Sequence, residues 1–480
     1  MITEPVWILG AGVSPCRSFL TLILALAAVG LCACSTTVDT PKPQPPFVAR
    51  SQTLEITNGI KVLTTVGMPN GFAPIAGRPP IWLQNGAEIG VVGTENGHTV
   101  VYGLGGAGWR TGRILAAETG PRAVEAGTIV DVAASPDGMT LATAMVTADG
   151  KRLDVITRDL IATGAGNVIV SFDGHYDSVS MSWLNGATIA MALRRHPEPP
   201  PEVHPKSEQS QEQSGDSNEL DTEPPTNPAD GLQLIVIAGS SSVAPLKLPC
   251  AMSQLSWSEH GVYAVGQGDR DAPPIIIDRR KSTCTRFHIT EPIHVLDWDA
   301  DDEGSFLYVG PDPSRHSIGV YKYDIATGAE KLIAVSTAAA SFTDGGDVVA
   351  LGNQKLTFRG AIEHPEEPML AQVAISEPEQ SQVDLKSLGF NTVPNMFAES
   401  TMSYSKGSDD TVMQIYAPSL PVPWRKIVSY SLRTDSAFLL AAGPARGTVT
   451  MSWSPKGRWV AILDGDASTG TVLSVLVPPR

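Results

Sequence analysis

Residues 451–463 read MSWSPKGRWVAIL, and shorter echoes of this stretch recur along the chain. They are IWLQNG (81–86), VAASPDG (132–138), MSWLNG (181–186), LSWSEHG (255–261), LDWDADDEG (296–304), ASFTDGG (340–346) and MSYSKG (402–407). Most carry an apolar residue, an aromatic soon after it, and a polar turn closed by glycine. Glycine suits the end of such a turn because hairpins often need a positive φ, which it adopts without a Cβ clash. Short β-rich runs follow: RWVAIL (458–463) and TVLSVLV (471–477) in the last unit, and SFLYV (305–309), IGVYKYD (318–324) and EKLIA (330–334) in the fifth.

Each unit therefore reads as four short strands, and the units start roughly 40–75 residues apart, the period of a propeller blade. A four-stranded sheet that is apolar on both faces must bury them against neighbouring sheets, which closes the repeats into a ring. The expected fold is all-β: a single β-propeller of eight, alternatively seven, four-stranded antiparallel blades over residues 52–480. The last unit shows three clear strands, so residues 54–66 are expected to supply its fourth and seal the ring. The repeat resembles the WD40-like and TolB-like propeller repeats of bacteria, in which an aromatic-Ser-Pro-Asp-Gly turn follows the innermost strand. It lacks the Gly-His and Trp-Asp pairs of true WD40 repeats, so their hydrogen-bond network is not expected here.

Composition fits a turn-rich β protein: of 480 residues, 45 are Gly, 38 are Pro and 18% are charged. A formal net charge of −16 argues against nucleic acid as a partner, because phosphate-backbone binding needs a basic stripe. Near the N-terminus, Arg17 precedes an apolar run, SFLTLILALAAVGL (18–31), of signal-peptide length. LCACS (31–35) follows and resembles the bacterial lipobox. That resemblance implies a signal peptide over residues 1–33 and a diacylglyceryl and acyl (palmitate) lipid on Cys34. It also implies an address on the outer side of the cell membrane, and more than one chain makes such anchoring durable. Residues 34–51, with Pro41, Pro43, Pro45 and Pro46, read as a Pro-rich tether. An exported chain permits a disulfide, and Cys250 with Cys284 is the candidate pair.

Between the second and third strands of the third unit lies HPEPPPEVHPKSEQSQEQSGDSNELDTEPPTNPAD (196–230), with almost nothing to bury. It reads as a disordered acidic insertion. Nine carboxylates stand against Lys206 alone, so this arm carries half of the formal charge of −16. The connections from outer to next inner strand, and from second to third strand, emerge on one face of a propeller. That face is the candidate binding surface and collects His175, Tyr176, Asp177, Asp269, Arg270, Asp271, Arg315, His316, Trp424 and Arg425, with Asp464 and Asp466.

Residues 297–304 look briefly like a calcium loop, but the sixth position is Asp302 rather than glycine and the twelfth is Tyr308 rather than glutamate. No metal ligands are assigned. No Gly-x-Ser-x-Gly elbow, Walker loop, dinucleotide fingerprint or His-Glu-x-x-His pair occurs, so no catalytic residue and no cofactor beyond the lipid is assigned. The reading is a monomeric, membrane-anchored docking platform for an envelope protein or polymer, with LpqB-type propeller lipoproteins as the functional analogy. The alternatives are a propeller enzyme of the lactonase or sugar-dehydrogenase kind, which needs Asp177, Asp271 and His316 to converge, and a solute- or metal-binding propeller.

Overall fold

The computed structural model describes residues 54–118, 127–161, 166–196, 231–236, 242–245, 252–268, 273–312, 317–335, 340–343, 346–351, 355–358, 369–373, 381–384, 401–405, 408–417, 424–434, 436–444 and 447–479. The expected signal peptide, Cys34, the tether, Cys250 and residues 197–230 lie outside that set.

The described strands gather into eight sheets. The second sheet shows the plan: Gly127–Ala134, Thr140–Thr147, Arg152–Asp159 and Asn167–Asp173 run up and down in sequence order. The third sheet begins with Tyr176–Asn185, the fourth with Met252–Trp257, the fifth with His294–Trp298, the sixth with Ala340–Phe342, the seventh with Thr401–Ser405 and the eighth with Thr448–Trp453. These first strands touch one another from sheet to sheet, so they are the inner ones.

Hydrophobic burial is organised between sheets rather than within them. Seven clusters each straddle two neighbours. Ile89, Val91 and Tyr102 of the first sheet pack with Leu463, Leu473 and Val475 of the eighth, for instance. Ala142 and Leu153 of the second pack with Met181 and Met191 of the third.

The ring is sealed by the N-terminal segment. Lys61–Gly67 pairs antiparallel with Gly470–Val477 as the fourth strand of the eighth sheet, with Lys61 opposite Val477 and Gly67 opposite Val472. Glu55–Ile56 goes elsewhere, onto Ser436–Pro444 of the seventh sheet, so residues 54–66 serve two sheets rather than the one expected. The Leu54 amide donates to the buried Asp464 Oδ2 at 2.9 Å, which pins the segment between them.

The repeat residues are explained by what they do between sheets. The indole N–H of Trp183 donates to the Ala133 carbonyl at 3.1 Å, that of Trp453 to the Ser403 carbonyl at 3.0 Å, and that of Trp298 to Ser256 Oγ at 2.9 Å. In each case the acceptor sits on the inner strand of the preceding sheet. The closing glycines serve the same seam. Gly138, Gly261 and Gly457 have φ of 66°, 66° and 60°, and a Cβ on them would come within 3.0, 3.0 and 2.3 Å of the preceding sheet's turn. Carboxylates add further braces between neighbouring sheets. Asp131 Oδ2 accepts from the Met181 amide at 2.7 Å, and Asp297 Oδ2 from the Phe342 amide at 2.8 Å.

Uniform four-stranded antiparallel sheets do not occur throughout. Three of the sheets have five strands. In the first, the inner edge is split into Phe72–Pro74 and Ile81–Leu83, both paired with Glu88–Glu95, because the excursion between them contains Pro79 and Pro80, which lack the N–H a ladder needs. In the sixth, Lys355–Phe358 runs parallel to Met369–Val373. The seventh gains Glu55–Ile56.

Candidate functional site

In an up-and-down sheet the first-to-second and third-to-fourth connections lie at one end, and the second-to-third hairpin and the exit lie at the other. The residues expected on the latter face divide into three groups. His175 is exposed, with its ring over the Gly150 turn, where a Cβ would meet Nδ1 at 3.2 Å. Its carbonyl accepts from the His196 amide at 2.7 Å. Tyr176 pairs with Arg195, the last residue of the strand before the acidic insertion, and its hydroxyl donates to the Asp173 carbonyl at 3.2 Å. The acidic arm is therefore rooted beside His175 and Tyr176. Arg425 lies in Trp424–Ser431, opposite Tyr416 and Gly443.

Asp464 and Asp466 are structural rather than free rim carboxylates. Asp464 holds the Leu54 amide, and Asp466 accepts from the amides of Ser468 at 2.7 Å and Thr469 at 2.8 Å. The Ser468 hydroxyl, which also donates to Asp466, and these amides bring its pKa from 3.8 down to about 2. Asp269, Arg270, Asp271, Arg315 and His316, and the side chains of Asp177 and Trp424, lie outside the described residues, so the convergence an enzyme would need falls there. Cys284, on the outer strand Thr283–Arg286 of the fourth sheet, is disulfide-bonded, while Cys250 lies outside the described set. In the calcium-like stretch Asp297 braces the next sheet, while Asp299 and Asp302 accept within their own turn. Asp299 Oδ1 accepts from the Asp301 amide at 3.1 Å, and Asp302 Oδ2 accepts from the Ser305 hydroxyl at 2.7 Å. Among the described residues no group of three or more His, Cys, Asp or Glu side chains is placed to hold a metal ion.

A cavity of about 430 Å³ with a mixed polar and apolar lining opens on the other face, where the sequence singled out no candidate site. It is lined by Gln84, Ala87 and Glu88 from the first-to-second connection of the first sheet, and by Gly105, Gly106, Thr111 and Arg113 from its third-to-fourth connection. Leu160 and Ile161 of the second sheet complete it. At its floor the buried Glu88 carboxylate takes both arms of Arg113, Nε to Oε1 at 2.7 Å and Nη2 to Oε2 at 2.6 Å. Such fork-to-fork pairing satisfies a carboxylate that burial would otherwise penalise. The hydrogen bonds that Arg113 donates to Glu88 in turn raise its pKa.

Gln84 Nε2 donates to Glu88 Oε2 and to the Leu160 carbonyl, both at 3.0 Å, and Arg113 Nη2 reaches that carbonyl at 2.8 Å. Gly103 makes the room, since a Cβ there would fall 2.2 Å from Glu88 Oε1. Beside the cavity Trp82, Trp109 and Trp459 form a three-indole cluster with centroids 5.1 to 6.2 Å apart. Three non-glycine residues here are left-handed: Gln84 at φ 49°, Asn85 at 55° and Trp109 at 52°. For a bulky residue such a backbone is a true outlier, held only by its surroundings. Glu88 and Arg113 are 25 residues apart and match no motif. The one local sign was that the first repeat has Leu-Gln-Asn where the last has Ser-Pro-Lys.

No protein-family model and no curated protein matches this chain. Among solved structures it is similar to the β-propeller domain of Swd1 from Myceliophthora thermophila, at 10% identity over 88% of this chain and 100% of that one, TM-score 0.43. It is also similar to an oligogalacturonate lyase of Vibrio parahaemolyticus, at 10% identity over 90% of this chain and 98% of that one, TM-score 0.45. TolB from Acinetobacter baumannii is 12% identical over 78% of this chain and 59% of that one, TM-score 0.30. The fold of this chain is a β-propeller by its own sheets and the clusters between them.

Proposed function

We propose that this chain is an exported, lipid-anchored β-propeller that serves as a docking platform for an envelope protein or polymer. The observation that carries the reading is the rooting of the acidic insertion beside His175 and Tyr176, on the face where loops of a rigid ring are free to vary. The arm supplies long-range attraction for a basic partner, and the ordered rim supplies a surface for it to settle on. The lipobox-like LCACS (31–35) supports lipid on Cys34 and an address like that of the LpqB-type lipoproteins. Each sheet is read as one blade of the propeller. Cys250 is the proposed disulfide partner of Cys284.

The test is affinity capture from crosslinked membranes with the intact chain, with a form lacking residues 197–230, and with Cys34→Ala. The intact chain should enrich one envelope component, deletion of the arm should cut that enrichment about tenfold, and Cys34→Ala should move the bait out of the membrane fraction. Good recovery of intact bait with nothing enriched would overturn docking.

A further inference from the structure

The cavity on the opposite face has no part in that reading. Its floor is charge-balanced, because Glu88 and Arg113 neutralise one another, yet the pair does not exhaust the polar groups around it. Arg113 spends Nε and Nη2 on Glu88 and Leu160, and among the described residues Nη1 has no partner. Gln84 spends its amide hydrogens on Glu88 and Leu160, which leaves Oε1 as an acceptor. The Thr111 hydroxyl, exposed at the rim, has no partner among the described residues. Ile161, 69% exposed and the most exposed of the large hydrophobic side chains described, lines the same cavity. Gly105 and Gly106 add wall without side chains, so a ligand can approach the backbone closely.

We propose that this cavity binds a neutral saccharide. It presents a pair of donors, an acceptor, a hydroxyl and an exposed apolar side chain. A sugar ring has the complementary surface: adjacent hydroxyls that both donate and accept, and a C–H face that loses water against Ile161. A volume of about 430 Å³ lies within the range of small-molecule sites. An anion would gain little, because Arg113 already faces the Glu88 carboxylate. An extended peptide binds by pairing along a strand edge, whereas the groups here come from three separate connections. The left-handed Gln84, Asn85 and Trp109 hold this wall in a shape that the repeat turns elsewhere do not adopt.

The experiment is titration calorimetry and saturation-transfer NMR on the full chain with glucose, galactose, N-acetylglucosamine and maltose, beside galacturonate and tetraglycine. At least one neutral sugar should bind saturably. Thr111→Val should weaken it about fivefold, the value of one hydrogen bond, and Ile161→Ser by a similar factor through lost apolar contact. Both side chains are exposed and outside the ion pair, so thermal melting should be unchanged. Arg113→Lys keeps a cation for Glu88 but loses the Nη1 donors, and should weaken binding more than tenfold. If Arg113→Lys does not fold, the other two variants decide. No saturable binding of any neutral sugar, binding untouched by Thr111→Val and Ile161→Ser, or tighter binding of galacturonate or tetraglycine would each overturn the proposal.

Discussion

Two turns occupy the same place in the repeat and behave differently. At 454–457 the chain makes a regular hairpin turn: the Gly457 amide donates to the Ser454 carbonyl at 2.8 Å, and the glycine lies so close to the seventh sheet that a Cβ would be 2.3 Å from Ser405 Oγ. At 84–86 the chain forms a left-handed 3₁₀ turn, and a Cβ on Gly86 would meet nothing nearer than 3.8 Å. Three indoles fill the space beside it, and the buried Glu88–Arg113 pair opens toward solvent. Where the repeat is kept, its residues hold one sheet to the next. Where it is abandoned, the chain accepts strain and exposes polar groups, and that departure marks the better place to look for a ligand.

The strongest way to break this comparison is to fill the contact. Gly457→Ala adds a Cβ at positive φ against a neighbouring sheet and should cost about 2–4 kcal/mol, combining left-handed strain with overpacking. Gly97→Ala is the matched control: φ is 82°, with nothing within 4 Å of the new Cβ. It should cost only about 1–2 kcal/mol. Equal losses in urea melts would show that the glycine answers to its own hairpin and not to the seam.

A smaller effect separates two tryptophans. Trp453 donates to the preceding sheet, whereas the buried Trp257 N–H has no hydrogen-bond partner among the described residues. Both lose the same ring volume on replacement by Phe. Trp453→Phe should therefore be the more destabilising by about 1 kcal/mol, and Trp257→Phe equal to or worse than it would remove the indole bonds as a source of ring stability.

The smallest effect is on pH. The folded pKa of Asp466 is depressed from 3.8 to about 2, so the carboxylate favours the folded state above its unfolded value and loses that contribution as pH falls through the folded one. In Asp466→Asn the melting temperature should fall less than in wild type between pH 4 and pH 2. Parallel curves would mean that Asp466 is as well solvated by its turn in the unfolded chain.

Much of the fold was legible because each hairpin carries the same local instructions. An apolar strand, an aromatic and a glycine turn declare themselves within a dozen residues, and eight echoes in phase point to stacked sheets. The sealing strand was legible too, since the last unit lacked one and residues 54–66 were expected to supply it, though only 61–67 do so. The second pairing, of Glu55–Ile56 with the seventh sheet, left no such sign because two residues have no period.

The chain alone thus determined the repeat, its period, the acidic arm and the address-like leader, all of them patterns of neighbouring residues. Only the tertiary structure decided that Trp453 and Gly457 serve the preceding sheet, that Asp464 is a buried anchor, and that Gln84, Glu88, Arg113 and Ile161 share one cavity. The reason is physical. Local geometry is set by backbone sterics and burial alternation, which act between near neighbours in sequence. A site assembled from three connections on two sheets exists only after the ring has closed and carried those connections together.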